Sequence, residues 1–298
     1  MIKNGQPWVT AIMPLRYYKL AFLKKSIDSI VNQTCPNWNL LIVVEKNDYG
    51  HFRELLKDML EDPRIGLTWG KGFSGCVNSG MRCAKTEFVA LLFADDLWSK
   101  DAVETLNQCI TNYPRIDFFH SSRIFIGENG RPISPVYLSR KNFRLNDFKW
   151  GSPVKHLLCW RRERGLSVGG VDESLTYGPD DYDFPWTMSE KGAAFMAIKK
   201  CLYLMRNHCE YRRVTTHTPL GELKRQYLKT LKKHGVGILE SWMIVTKKIR
   251  DGSVGGQAIY RSHFDKQSRE KLGFDARKVW RQKSTERNLV RKISNACM

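Results

Sequence analysis

The chain has 298 residues, of which 42% are hydrophobic and 27% charged, a balance that excludes a disordered or fibrous protein. No apolar run approaches the roughly 18 residues that a membrane-spanning helix needs, and the first residues lack the apolar stretch of a signal peptide, so we expect a cytoplasmic protein. The net charge of +19 is uneven, because residues 191–298 hold 25 basic and 8 acidic residues. This asymmetry predicts a near-neutral body with a basic appendage that faces an anionic partner, unless the charge only serves solubility.

Short apolar runs alternate with amphipathic stretches through the first hundred residues. Strands are predicted at 9–13, 40–44, 65–69 and 88–93, and helices at 20–31, 52–60 and 74–84. Pro14 is expected to stop the first strand. Strands separated by helices of this length indicate βαβ crossovers, and therefore an α/β fold with a largely parallel sheet.

The predicted strands end in residues that could bind a ligand. In parallel sheets, ligands bind beyond the carboxyl ends of the strands. Those ends carry Pro14 and Leu15, then Glu45, then the pair Asp95 and Asp96. Acidic groups at two strand ends indicate a ligand that arrives with a metal ion. The sequence contains neither GxGxxG nor GxxxxGK[ST], which disfavours a dinucleotide-binding or P-loop protein.

Several motifs occur in one order that points to a known family. The segments are VTAIMP at 9–14, SIDSIVNQTCPNWNLLIVV at 26–44, CVNSG at 76–80, EFVALLFADDLW at 87–98, VGGVDESL at 168–175 and GPDDYD at 178–183. Together they resemble the family 2 glycosyltransferases, nucleotide-sugar-dependent enzymes with the GT-A fold. The resemblance covers residues 8 to about 208. It implies a Rossmann-like, mostly parallel sheet flanked by helices at 1–208, and leaves 209–298 as a basic, mainly helical C-terminal extension.

By this resemblance, Asp95 and Asp96 share Mn²⁺ or Mg²⁺ with the diphosphate of the donor. Hard oxygen ligands suit either ion, which would neutralise charge on the departing nucleoside diphosphate. Phe93 stands where the family usually has the first acid, so one ligand is missing. His208, in a segment similar to the family's YRxH, lies near the diphosphate by the same resemblance and is a further candidate metal ligand. The alternatives are a helix N-cap for the two acids and a structural role for His208.

The resemblance also implies which residues bind the donor. Glu45 stands where the family places an acid that contacts the base, and a carboxylate that accepts from an imide N–H would favour uracil or thymine. A UDP-sugar is therefore the favoured donor, although Lys46 replaces a second acid and Glu45 could be an ordinary turn residue. The other candidate donor-binding residues come from the matching motifs: Pro14, Leu15, Asn78 and Asp95.

Asp180 and Asp181 are the candidate catalytic pair. The match to the family's ED motif implies that Asp181 is the general base for an acceptor hydroxyl and that Asp180 positions the acceptor or the loop. Adjacent acids near aromatic residues can raise one pKa, which helps a base to work near neutral pH. One base without an enzyme nucleophile predicts inversion at the anomeric carbon. The alternative is a structural acidic loop.

The basic extension is predicted to begin with two helices, at 219–234 and 237–250, followed by cationic segments around Trp280. Basic amphipathic helices with an interleaved Trp fit docking on an anionic membrane surface, where lipid-linked acceptors reside. The same charge would serve nucleic-acid phosphates, but the sequence has no nucleic-acid-binding signature.

The sequence therefore predicts an inverting, metal-dependent glycosyltransferase that moves a sugar from a nucleotide donor to a glycan or lipid-linked acceptor. Its setting would be surface polysaccharide assembly, in the cytoplasm or at the inner face of the membrane. Two alternatives stay open. One is a glycosyltransferase that acts on modified nucleic acid, and the other is an inactive GT-A scaffold that binds nucleic acid through its basic tail.

Overall fold

The computed structural model describes residues 8–176, 178–208 and 219–250. Within these ranges the strands are β1 Val9–Leu15, β2 Trp38–Glu45, β3 Ile65–Gly70, β4 Phe88–Leu91, β5 Leu97–Trp98, β6 Phe118–Ile126, β7 Leu158–Arg161 and β8 Phe195–Arg206. The helices are α1 Leu20–Val31, α2 Tyr49–Leu55, α3 Gly72–Cys83, α4 Ala102–Asn112, α5 Arg162–Ser167, α6 Phe184–Glu190, α7 Leu220–Lys233 and α8 Ile238–Arg250. A π-helical turn, Pro179–Asp183, leads directly into α6.

All the strands belong to one sheet, in the order β3-β2-β1-β4-β7-β6-β8-β5. The first four strands pair in parallel, as the βαβ pattern predicts. β7 is antiparallel to both of its neighbours, β4 and β6, whereas β8 runs parallel to β6. β5 pairs antiparallel with β8 at the sheet edge. The α/β fold class is confirmed, and the mixed half of the sheet brings β8 close to the loop that follows β4.

The main core lies between the sheet and helices α3, α5 and α6. It includes Val77 and Met81 of α3, Trp160 of β7 and Phe184 of α6, all of them buried. The helix approaches the sheet closely at Gly80, where an added Cβ would lie 2.5 Å from a side-chain carbon of Ile12. A parallel sheet covered in this way needs apolar residues on both faces of its strands, which explains the unbroken apolar runs of β1 and β4.

Several boundaries differ from the sequence prediction, most of them by one or two residues, including that of β4, which ends at Leu91 and not at 93, and two differences have a clear physical reason. Helix α2 begins at Tyr49 and ends at Leu55, not at 52–60, because the backbone then tightens into i→i+3 hydrogen bonds such as Met59 N to Leu56 O (2.9 Å). Pro14 does not stop β1, which continues to Leu15 along β2. The proline is tolerated because β4 no longer pairs with β1 beyond Ile12, so Pro14 has a strand neighbour on one side alone.

The chain divides into two compact units. Of the described residues, the first unit comprises 8–174 and 178–208, and the second comprises Leu175, Thr176 and 219–250. In the second unit α7 and α8 pack on each other, with Lys248 Nζ 5.3 Å from the centroid of the Tyr227 ring. The division after residue 208 stays a prediction, and the segments around Trp280 lie outside the described residues. Among the helices described here, none has both the length and the apolar character to cross a bilayer.

Candidate active site

Asp95 and Asp96 lie in the turn between β4 and β5, at the carboxyl end of the parallel strands. The turn is closed by a hydrogen bond from Asp96 N to Phe93 O (3.1 Å), and Ser26 Oγ of α1 donates to the same carbonyl (2.8 Å). Both aspartates are more than nine-tenths buried. The turn therefore holds both acids in fixed positions at the strand end, as the sequence predicts.

Strand β8 fixes the carboxylate of Asp96. The Tyr203 hydroxyl donates to Oδ2 (2.9 Å), and the backbone N–H of Arg206 donates to Oδ1 (2.7 Å). Burial, together with the nearby Asp96 charge, raises the pKa of Tyr203 well above its ordinary value, so this hydroxyl stays a donor. The Tyr203 oxygen also accepts from Phe93 N (3.3 Å). Both oxygens of Asp96 are thus engaged by β8, which favours a supporting role for this acid.

Asp95 faces the predicted histidine. His208 Nε2 lies 2.9 Å from Asp95 Oδ2, and the imidazole packs against Phe22 of α1 at a ring-centroid distance of 5.0 Å. The buried Arg206 guanidinium donates from Nε to the Asp95 carbonyl (2.9 Å) and from Nη1 to two carbonyls after β6. One carboxylate and one imidazole are thus brought together. The described residues contain no group of three or more His, Cys, Asp or Glu that could hold a metal ion.

Asp180 and Asp181 lie in the π-helical turn, which Gly178 opens with a φ of +59°. The Tyr182 hydroxyl anchors this turn by donating to Phe148 O (2.9 Å). The Asp180 side chain is 10% exposed and that of Asp181 is 42% exposed. Burial and the neighbouring Asp181 charge raise the pKa of Asp180 well above its ordinary value, and burial also raises the pKa of Asp181. Asp181 is therefore the member of the pair that a hydroxyl can reach.

His156 lies between the two acid pairs, and sequence reasoning assigned it no catalytic role. Its Nε2 is 3.6 Å from Asp180 Oδ2 and 3.9 Å from Asp181 Oδ2. Its ring contacts Phe93 and Tyr203 at centroid distances of 5.1 and 5.2 Å. Burial lowers the pKa of His156 to about 3, with a further contribution from Arg123, so the ring is neutral at physiological pH. A neutral ring thus contacts the acids at 180–181 as well as Phe93 and Tyr203, the residues that bond to Asp96.

Tyr203, like His156, was missed as a functional residue because it carries no local signal. It lies in the apolar strand β8, where an aromatic residue is typical of a core position. Only the pairing of β8 with β5 and β6 brings its hydroxyl to Asp96. Arg206, by contrast, could be found through the resemblance of residues 205–208 to YRxH.

Of the remaining predicted donor-binding residues, Glu45, Pro14 and Leu15 lie at the same edge of the sheet, whereas Asn78 lies within α3. Glu45 Oε1 accepts from Gly72 N at the start of α3 (2.9 Å). Pro14 and Leu15 end β1, and the side chain of Leu15 is buried. Asn78 Nδ2 donates to Val171 O and to Glu173 Oε1 (2.9 Å each), while Asn78 Oδ1 accepts from Val171 N (2.8 Å). Asn78 thus supports the 171–173 loop, and a direct donor contact through it stays a prediction.

The family profile described as "Glycosyl transferase family 2" matches residues 10–162, about half of the chain. The chain belongs to this family. The matched region contains β1 from its second residue, then β2 to β7, with the Asp95–Asp96 turn and His156. It ends before the Asp180–Asp181 turn and the whole of β8, so the family match alone says nothing of the candidate base.

Curated relatives are similar over parts of the chain. The O-antigen biosynthesis protein RfbC of Myxococcus xanthus is 22% identical over 207 residues, which cover 68% of this chain and 16% of the relative. An uncharacterized glycosyltransferase of Methanocaldococcus jannaschii is 27% identical, covering 77% of this chain and 80% of its own. The UDP-Glc:alpha-D-GlcNAc-diphosphoundecaprenol beta-1,3-glucosyltransferase WfgD of Escherichia coli is 30% identical over 146 residues, covering 46% and 55%.

Solved structures share the fold. TarS of S. aureus in complex with UDP-GlcNAc superposes with a TM-score of 0.58 at 13% identity, covering 89% of this chain and 78% of that one. The mannosyltransferase PcManGT of Pyrobaculum calidifontis, in complex with GDP-Man and Mn²⁺, gives a TM-score of 0.56 at 15% identity, covering 87% and 76%. The fold of this chain is therefore the GT-A fold of such glycosyltransferases.

Proposed function

We propose that this chain is an inverting glycosyltransferase that transfers a sugar from a nucleotide donor to an acceptor hydroxyl. The observation that carries the proposal is the reachable carboxylate of Asp181 beside His156, whose ring also contacts Phe93 and Tyr203 next to the Asp95–Asp96 turn. This arrangement provides a base and a candidate diphosphate site. Family membership supports the reaction class.

The proposed reaction involves one base, the oxygen of the acceptor hydroxyl and the diphosphate oxygen of the donor. Asp181 accepts the proton of the acceptor hydroxyl while that oxygen forms a bond to the anomeric carbon of the donor sugar. The bond from that carbon to the diphosphate oxygen breaks, and the electron pair leaves with the nucleoside diphosphate. A single in-line displacement inverts the anomeric configuration. The raised pKa of Asp181 makes it a stronger base than an ordinary carboxylate.

Asp95 and His208 are the residues that would hold a divalent ion. A carboxylate oxygen and an imidazole nitrogen in direct contact (2.9 Å) form a ligand pair that suits Mn²⁺, and Mg²⁺ with more water ligands. Once bound, such an ion supplies Lewis-acid stabilisation of the leaving diphosphate. The complex of PcManGT with GDP-Man and Mn²⁺ supports this assignment. Asp96 holds the turn in place through its bonds to β8.

A UDP-sugar is the proposed donor, and a glycan or lipid-linked sugar is the proposed acceptor. Similarity to WfgD, a glucosyltransferase named for UDP-Glc and GlcNAc-diphosphoundecaprenol, and to the O-antigen biosynthesis protein RfbC supports a role in surface polysaccharide assembly. Glu45, at the end of β2, is the proposed contact for the base. The nucleic-acid alternatives rest on the charge of residues 191–298 alone, and those beyond 250 lie outside the described residues.

We also propose that α8 docks on the inner face of an anionic membrane. Its residues Ile238, Leu239, Trp242 and Met243 are 46–82% exposed and lie on one helix face, whereas Ile244 and Val245 are buried. Lys224 Nζ lies 4.3 Å from the Trp242 ring centroid, so a cation adjoins the apolar face. Exposed lysines on α7 and α8 add positive charge. An apolar face flanked by cations suits a surface of acidic lipids.

Calorimetry of UDP with and without Mn²⁺ tests the donor site. We expect Mn²⁺ to tighten UDP binding to the wild type, and Asp95→Asn to abolish that tightening because the carboxylate that would hold the ion is lost. Asp58→Asn, an exposed acid near the end of α2, is the matched control and should behave as wild type. Asp96→Ala is a poorer test, since it also breaks the bonds to β8. If no nucleoside diphosphate binds with either ion, the proposed function is wrong.

A further inference from the structure

Three cations lie near one another, one of them close to Asp181, and the proposed reaction does not use them. Arg123 lies in β6, Arg140 lies in the loop after β6, and Lys155 immediately precedes His156. Hydrogen bonds to β6 bring the last of these close: Leu157 N donates to Ser121 Oγ (2.9 Å), and Ser121 N donates to Leu157 O (3.1 Å). Residues 155–157 therefore run alongside the strand that carries Arg123.

The loop that carries Arg140 is fixed to the same strand. Arg123 and Tyr137 exchange two backbone hydrogen bonds of 3.1 and 2.8 Å. Ser139 N then donates to Ser122 Oγ (2.9 Å). The backbone thus places Arg140 and Lys155 beside Arg123, in a cluster that we call the cation cluster.

Two of the three cations have no acidic partner. Arg140 pairs with Asp147 at 2.8 Å, but within the described parts of the chain neither Arg123 nor Lys155 forms an ion pair. Burial lowers the pKa of Lys155, and the two arginines lower it further. Arg123 Nε is buried and has no hydrogen-bond partner among the described residues. Like charges at close range repel each other, so an anion bound by Arg123 and Lys155 would relieve the repulsion within the cluster.

A buried histidine provides an independent observation. His120 of β6 is 1% exposed, and neither of its ring nitrogens has a hydrogen-bond partner in the described structure. Burial lowers the pKa of His120 to about 4, with a contribution from the nearby Lys155, so the ring is neutral and one nitrogen carries a hydrogen. An unpaired buried donor beside Lys155 points to a ligand, because buried polar groups are otherwise paired.

We propose that Arg123 and Lys155 bind a phosphate or diphosphate group of the acceptor, next to the hydroxyl that Asp181 deprotonates. The inference rests on the proposed function and narrows its acceptor to a phosphorylated molecule. The donor diphosphate is assigned to a different pair of residues, Asp95 and His208. Arg123 instead lies on the side of Asp181, close enough to lower the pKa of that carboxyl.

Binding of small phosphates tests the site without knowledge of the acceptor sugar. The probes are butyl phosphate and butyl diphosphate, titrated by calorimetry into protein that holds excess UDP and Mn²⁺, with butanol as the neutral reference. We expect the wild type to bind the phosphates but not butanol. Arg123→Gln/Lys155→Gln should weaken phosphate binding at least tenfold, because two charge-assisted contacts are lost. Lys57→Gln, an exposed lysine of the α2 region, should leave it unchanged.

Titration of the same variants with UDP separates this inference from the proposed function. Equal UDP affinity in the double variant and the wild type shows that the fold and the donor site are intact. If the double variant fails to fold, the two single variants are measured in its place. Phosphate binding that survives both substitutions, or is absent from the wild type, overturns the inference. So does a loss confined to UDP-sugar binding, which would assign the cluster to the donor. A loss of binding to phosphatidylglycerol vesicles with butyl diphosphate binding intact would overturn it in favour of a lipid surface.

Discussion

Exposure distinguishes the adjacent acids Asp180 and Asp181. Asp180 is turned into the protein towards His156, whereas Asp181 keeps 42% of its side chain exposed. Two neighbouring carboxylates in a partly buried turn repel each other, so the more buried one holds its proton more tightly. The two acids are thus suited to different tasks, one structural and one catalytic.

Asp181→Asn should lower kcat by about 10²–10⁴-fold, the range that a general base contributes. The affinity for UDP should stay unchanged, because the residues proposed to hold the diphosphate, Asp95 and His208, are not altered. Initial rates at saturating donor, together with calorimetry of UDP, measure the two quantities. A variant that loses UDP binding in proportion to kcat would contradict the assignment of Asp181 as the base.

Asp180→Asn should make the protein more stable at neutral pH. The folded-state pKa of Asp180 is raised, so the native state holds a proton that the unfolded state has already released above pH 3.8. The stabilisation by that proton is present below pH 3.8 and is lost as the pH rises through the raised pKa, at up to ~1.4 kcal/mol per pH unit. Urea unfolding between pH 4 and pH 8 should show the wild type losing stability relative to the variant. Parallel pH curves would show that Asp180 is not perturbed.

At the scale of elements, helix α3 is joined to the loop at 168–175 through Asn78. Gly170 has a φ of +75°, and an added Cβ would lie 2.5 Å from Asn78 Oδ1. The neighbouring Gly169 also has a positive φ, +91°, but nothing lies within 4 Å of its added Cβ. Both glycines therefore have a positive φ, but only at Gly170 would an added Cβ clash with a neighbouring side chain.

Gly170→Ala should therefore destabilise the protein more than Gly169→Ala. Both variants carry a cost of roughly 1–2 kcal/mol for a left-handed alanine. Gly170→Ala also displaces the Asn78 amide from the loop, which adds a further ~1–3 kcal/mol for broken buried hydrogen bonds. Chemical denaturation of both variants measures the difference. Equal losses would mean that the loop moves without cost and that the Asn78 contacts contribute nothing.

The sequence predicts helices and strands well where the apolar periodicity is strong. It predicts the sheet poorly where the arrangement depends on which distant strands pair. The helix predicted at 20–31 and the first four strands are confirmed, because apolar spacing reports directly on burial. The antiparallel insertion of β7 between β4 and β6 depends on contacts between distant segments, which spacing does not encode. For the same reason the motifs indicate the acid pairs at 95–96 and 180–181 but not Tyr203, Arg123 or Lys155, whose positions depend on how β6 and β8 pair.

At the scale of the whole molecule, the charge asymmetry has a structural counterpart in the second unit. Its helix α8 presents an apolar face to solvent, and α7 carries the exposed Lys229, Lys232 and Lys233. Residues 1–190 are near neutral, with 24 basic and 22 acidic residues, so attraction to an acidic surface would act mainly on the C-terminal part of the chain.

Leu239→Ser/Met243→Ser should weaken binding to phosphatidylglycerol vesicles about tenfold or more, because two exposed apolar side chains no longer insert. Thr246→Ser, at an exposed position of the same helix, is the control. Co-sedimentation at two salt concentrations measures both contributions, and salt should weaken the binding of every variant. Equal vesicle binding by the double variant and the control would remove α8 from the membrane contact.

Tyr203 connects both halves of the candidate site, since its hydroxyl holds Asp96 and its ring contacts His156, which lies beside Asp180 and Asp181. A substitution at position 203 should change the donor preference and the acceptor preference together. Directed evolution towards a new donor would therefore be expected to leave residue 203 untouched and to draw its variation from the separate loops on either side. In sequences that diverge from this chain, the loops should likewise vary while the tyrosine at position 203 is retained.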